Sequence, residues 1–159
     1  MITIQRDSWE RAEKGIRTLI DGYWAEVRHD VQMTYLDLNG DLYRYYETEG
    51  KLVLVTACDK ETLIGFAIFF AFVHHHYQSS LCGHNDSWFL SPTYRSGMTG
   101  VKLFRKALSP LSRMGCTHVY AISTIRKDVT PLLKRLRFEP VETVHCLALD
   151  PGNGEGKEG

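Results

Sequence analysis

Apolar positions in this chain change period along its length, and each change predicts an element. Ile2 and Ile4 flank a polar Thr3, which fits a short strand. Asp7 and Glu10 are spaced as in a capping box, and Trp9, Ala12, Ile16 and Leu19 then recur at helical spacing up to Asp21-Gly22. Residues 23–37 fit either a short helix or a loop. Asn39-Gly40 marks a turn, and residues 42–47 fit a short helix ended by Gly50.

From Lys51 the texture becomes that of a sheet. Residues 52–57 are rich in β-branched side chains, residues 59–61 form a polar turn, and residues 63–73 make a longer strand; together they predict a hairpin. Residues 74–86 read as a polar connection and residues 87–90 as the next strand. Val101, Phe104, Leu108 and Leu111 give a helix face running to about Met114, with Pro110 expected to kink or shorten it and Gly115 placed to stop it. A strand over residues 117–123 follows, then a short helix opened by Thr130-Pro131. Residues 138–141 and 143–149 read as two final strands.

Composition narrows the class. A chain of 159 residues with 43% hydrophobic and 24% charged residues is ordinary for one globular domain, here expected over residues 1–150. Residues 151–159 are Gly-rich with nothing apolar to bury, so disorder is expected there. Net charge is zero, which offers no global attraction to nucleic acid or a membrane surface. The longest apolar run, residues 63–73, is too short to span a bilayer. The N-terminus has no basic flank or cleavage-type segment, and Cys58, Cys82, Cys116 and Cys146 are scattered, so the expectation is free thiols in a cytoplasmic protein. His74-His75-His76, Cys82 and His84 lack the paired spacing of structural zinc sites, and consecutive strand side chains point to opposite faces, so no metal is expected.

The most informative stretch is Trp88-Phe89-Leu90-Ser91-Pro92-Thr93-Tyr94-Arg95-Ser96-Gly97-Met98-Thr99-Gly100-Val101. An apolar strand stops at a proline, a short turn follows, and a helix begins; such a junction aims backbone N–H groups at one spot and suits a phosphate. Basic residues gather from there to Arg137, with Asp128 the sole acid between. This segment resembles the acyl-CoA-binding motif of the GCN5-related N-acetyltransferases (GNAT), an Arg/Gln-x-x-Gly-x-Gly/Ala turn. Arg95 fills the first motif position and Gly100 the last, while Met98 stands where glycine is usual. The element order over residues 51–149 is also similar to that family, and residues 133–141 resemble its Leu-x-x-x-Gly-Phe pattern with Arg137 in the glycine place.

The resemblance implies an α/β (α+β) fold, a central mixed and mostly antiparallel sheet flanked by helices. It implies an N-acetyltransferase that uses acetyl-CoA as co-substrate and a small-molecule or protein amine as acceptor. Ser96, Gly97, Met98, Thr99 and Gly100 would cradle the pyrophosphate with Arg95, and the backbone of Phe89 and Leu90 would hold the pantetheine arm. The chain near residues 121–123 would splay away to admit the thioester. An ammonium cannot attack until a base or water relay removes a proton. Asp86 is the first candidate base, because relatives often place an acid on that strand; His84 is the second, with a pKa suited to neutral pH. Ser123 or solvent would meet the leaving thiolate. Trp9, Tyr23, Trp24, Tyr35, Tyr43, Tyr45 and Tyr46, with nearby carboxylates, fit a cationic acceptor or simply a half-buried helical face. Two other readings stay open. One is nucleobase modification in DNA, because the loosened motif also resembles phage-encoded members. The other is a non-catalytic module that binds CoA or a protein. Homodimers are common in the family.

Overall fold

The protein, a computed structural model, is described over residues 1–28 and 36–149. Residues 29–35 and the expected disorder of residues 151–159 lie outside the described part. In chain order the elements are strand β1 (Ile2–Asp7), helix α1 (Trp9–Val27), helix α2 (Gly40–Thr48), strands β2 (Leu52–Asp59), β3 (Thr62–Val73) and β4 (Leu81–Leu90), a 3₁₀ turn (Pro92–Tyr94), helix α3 (Thr99–Arg113), strand β5 (Cys116–Tyr120) and helix α4 (Thr130–Arg135). The sheet runs β1-β2-β3-β4-β5, with antiparallel neighbours from β1 to β4 and a parallel β4–β5 pair.

Both faces of this sheet are covered, which is why β2 and β3 are apolar without interruption. Alternate residues serve two cores. Val53, Val55, Ala67 and Phe69 pack under α3 against Leu103, Phe104, Ala107 and Leu111. Leu52, Leu54, Phe66 and Ile68 pack under α1 and α2 against Trp9, Ala12, Ile16 and Tyr43. Lys60, at φ 55°, takes the left-handed position that turns β2 into β3.

Several expectations are corrected. The first helix does not stop at Asp21-Gly22 but continues to Val27, because Tyr23 extends its apolar stripe onto Phe66 and Gly22 lets α1 lie against Phe89, whose Cζ would be 3.2 Å from an added Cβ. Its cap is Ser8, whose Oγ accepts from Arg11 N, rather than Asp7. β4 begins at Leu81, so His84, Asn85 and Asp86 lie in a strand and not in a polar connection; buried Cys82, Gly83 and Asn85 explain the difference. Pro110 does not end α3, since it falls in the last turn. The two final strands are absent: residues 138–149 form neither helix nor strand, and residues 139–149 are exposed.

Candidate active site

β4 organises the site through one irregularity. Ile68 of β3 faces Ser87 and Phe69 faces Asn85, so Asp86 is the extra residue of a β-bulge. The buried Asn85 amide holds it closed, donating through Nδ2 to the carbonyls of Ile68 (3.2 Å) and Ser87 (3.3 Å). The bulge shifts the alternation. Ser87 and Phe89 join Asp86 on the α1/α2 side, while Trp88 and Leu90 pack toward α3.

Asp86 is exposed, yet one of its oxygens is fixed. Tyr43 Oη donates to Oδ2 at 2.8 Å and Ser87 Oγ donates to the same oxygen at 3.0 Å. Tyr43 is itself clamped between Trp9, stacked at 4.3 Å between centroids, and Phe70 at 5.7 Å. Burial, and then the Asp86 charge, pushes the Tyr23 phenol up to about 12. The same causes, in the same order, raise Tyr43 further. Both phenols therefore keep their protons at neutral pH, so Tyr43 is the donor and the Asp86 carboxylate the acceptor. Oδ1 of Asp86 has no hydrogen-bond partner among the described residues, which leaves it for a ligand or water.

The other half of the site is backbone. Pairing between β4 and β5 ends at His84–Tyr120, yet β4 continues to Leu90. Residues 85–90 therefore have no strand partner on that side among the described residues, and their edge-facing N–H and C=O groups are available to a ligand. This open edge runs through Ser91 and the 3₁₀ turn to the start of α3. No side chain caps that helix, so its first N–H groups lack partners and present the positive end of the helix dipole. Gly97, at φ 80°, supplies the left-handed step of the turn. Met98 is the N-cap at φ −105°, a conformation any residue adopts, with 44% of its surface exposed; the backbone does not require glycine there. Gly100 does meet a constraint, since an added Cβ would lie 3.3 Å from Leu132 Cδ1 of α4.

Arg95 has a different place from the other turn residues. Its Nε donates to Leu90 O at 2.7 Å, its guanidinium pairs with Glu26 at 2.7 Å, and it lies 5.4 Å over the Phe89 ring. It ties the turn to β4 and α1. His84 pairs in register with Phe70 and Tyr120, two positions before Asp86. Ser123 is not drawn into this group: its Oγ donates to Asp128 (3.3 Å) and accepts from Val129 N (3.0 Å), holding the loop before α4. Sequence reading named Asp86, Tyr23 and Tyr43 but missed Ser87 and Asn85; a buried-type strand interrupted by Asn-Asp-Ser was the available signal. Among the described residues no group of three or more His, Cys, Asp or Glu side chains converges as for a metal. An open cleft of about 260 Å³ between β1 and α3, lined by Gln5, Arg6, Lys106, Ser109, Pro110 and Arg113, contains none of these site residues.

A bulged strand with an unpaired edge thus leads into an uncapped helix N-terminus, an arrangement suited to an anionic ligand. The sequence model of the Acetyltransferase (GNAT) family matches residues 15–136, and the chain belongs to that family. Among solved structures, it is similar to an aminoglycoside acetyltransferase, meta-AAC0020, from an uncultured soil metagenomic sample in complex with sisomicin (TM-score 0.71, 10% identity, covering 94% of this chain and 97% of that one). Glucosamine-6-phosphate N-acetyltransferase from Arabidopsis thaliana superposes with TM-score 0.72 at 10% identity, covering 94% and 99%. The aminoglycoside enzyme AAC(6')-Iy, in complex with a bisubstrate analog of CoA and acetylneamine, gives TM-score 0.70 at 16% identity, covering 94% and 99%. At these identities the likeness concerns the fold. No curated protein sequence matches. No helix among the described residues is long and apolar enough to cross a membrane.

Proposed function

We propose that this protein is an N-acetyltransferase that moves the acetyl group of acetyl-CoA to a primary amine, on a small molecule or a protein, by direct attack. The observation that carries this reading is the Asp86 bulge beside the unpaired edge of β4, which leads without a break into the turn at residues 95–100. The pyrophosphate fits the uncapped N-terminus of α3 with the N–H groups of residues 96–100, and the pantetheine arm fits the open edge at Phe89 and Leu90. The acceptor enters on the α1/α2 side, where Asp86 Oδ1 takes a proton from its ammonium. The freed amine forms a C–N bond to the thioester carbonyl, the C–S bond breaks, and the proton then lost from the new amide nitrogen passes through solvent to the CoA thiolate, while Asp86 releases its proton to water. Asp86, held by Tyr43 and Ser87, needs no movement to act, and placing the two substrates together supplies much of the rate.

The test is release of free CoA thiol from acetyl-CoA across a panel of primary amines and amine-bearing proteins, with acylated product confirmed by mass. Amine-dependent thiol release is expected. Binding of acetyl-CoA with no acylated product across the panel would sink catalysis and leave a binding module; a salt-dependent DNA shift with acylated nucleobase would redirect the acceptor to DNA.

A further inference from the structure

The cleft of about 260 Å³ between β1 and the C-terminal half of α3 has no part in the site described above. The helical rise places Lys106 about 10 Å and Arg113 about 21 Å along α3 from Thr99, so a pyrophosphate at residues 96–100 does not reach it. Its two walls bring three cations together. Arg6 pairs in register with Val55, which packs under α3, so Arg6 shares that face of the sheet. Lys106, Ser109 and Arg113 are spaced three and four residues apart and follow one stripe of α3. Arg113 is oriented by its neighbour, donating through Nη1 to Ser109 Oγ at 2.8 Å. Between the cations the lining is largely carbon, with Pro110 buried at its base.

What the cleft lacks is a counter-charge. α3 carries Lys102, Arg105, Lys106 and Arg113, and no acid occurs from residue 99 to residue 113. The nearest carboxylate along β1, Asp7, pairs in register with Leu54 on the opposite face, where it holds Arg11 at 2.6 Å and accepts from Thr56 at 3.0 Å. Among the described residues Arg6, Lys106 and Arg113 pair with no carboxylate, whereas Arg11, Arg17 and Arg44 of α1 and α2 each do. Like charges gathered in a concave surface without an acid repel one another, and a bound anion relieves that repulsion.

We propose that this cleft is an anion site separate from the turn at residues 95–100, and that it takes a small phosphate monoester. Such a phosphate is close to doubly charged at neutral pH and offers three acceptor oxygens. The guanidinium groups of Arg6 and Arg113 present planar forks to it, the Lys106 ammonium adds a point charge, and the Ser109 hydroxyl, which accepts from Arg113, keeps its own proton to donate. The apolar body of the ester lies on Pro110 and on the aliphatic stems of the three cations. The proposal rests on fold and charge and does not depend on the proposed activity.

The experiment is a titration of the isotopically labelled full chain with phenyl phosphate at about 0.15 M salt, read from backbone amide shifts, beside inorganic phosphate and phenol. Saturable shifts are expected at residues 5, 6, 106, 109 and 113, with phenyl phosphate binding more tightly than inorganic phosphate and phenol giving no saturation. K106Q/R113Q is expected to keep the wild-type circular dichroism and to weaken the phenyl phosphate response at least about tenfold. Arg6→Gln, which leaves α3 untouched, is expected to weaken it as well and carries the test if the double variant does not fold. Shifts that grow linearly without saturation, shifts confined to residues 96–100, or an unchanged midpoint in Arg6→Gln overturn the proposal. Saturation by phenol with the same midpoint as phenyl phosphate also overturns it, because the cleft would then select carbon and not charge.

Discussion

The two halves of the site are built from different material. The turn at residues 95–100 relies on backbone N–H groups and one left-handed glycine, so most of its side chains are free to vary. The Asp86 group relies on side chains from separate elements: Tyr43 from α2, Tyr23 from α1, and Ser87 and Asn85 from β4. The first half tolerates Met98 in a position usually given to glycine. The second has less latitude, because each member fixes another. The difference teaches that a departure from a family motif matters according to whether the motif position supplies a dihedral angle or a side chain.

The largest expected effect breaks the side-chain half. Asp86→Asn keeps the shape and removes the proton acceptor; kcat is expected to fall by about 10²- to 10⁴-fold with the acetyl-CoA KM nearly unchanged. Equal kcat across pH would assign the proton to another group. Next, Gly97→Val forces a β-branched residue into φ 80°, at a cost of about 1–3 kcal/mol. The acetyl-CoA KM is expected to rise roughly tenfold or more with the amine KM unmoved, as steady-state kinetics with each substrate varied would show.

Tyr43→Phe sharpens the comparison. It removes one of two donors to Asp86 Oδ2, a hydrogen bond to a charged group of about 1.5–3 kcal/mol, so kcat/KM for the amine is expected to drop at least tenfold. The tyrosines also predict an alkaline limit. Tyr23 ionises near 10.0 when unfolded and about 12 when folded, so its contribution is whole below pH 10 and declines as pH rises toward 12. Denaturant titrations should show that loss, and Tyr23→Phe should lessen it. The smallest effect is at Met98→Gly: glycine is an acceptable N-cap, and the acetyl-CoA KM is expected to change by less than about threefold.

Legibility in the sequence followed the same divide. The turn was readable because its parts are consecutive: an apolar strand, Pro92, Gly97 and Gly100, then the α3 stripe. Asp86 was readable as a candidate, but its setting was not. The bulge depends on how β3 pairs with β4, and the Tyr43 bond joins residues 43 positions apart. Residues 143–149 have strand composition, yet they form neither helix nor strand here. Val27 as the end of α1 was missed because Gly22 resembles a stop, whereas here it serves close approach to Phe89.

The central claim is that cofactor binding resides in the backbone of residues 95–100 and proton removal in Asp86. Calorimetric titration of acetyl-CoA into the wild type and into Asp86→Asn tests it most directly. The account predicts saturable binding with the same Kd in both proteins, although only the wild type turns over an amine. Absence of binding in the wild type, or loss of binding in Asp86→Asn, would contradict it.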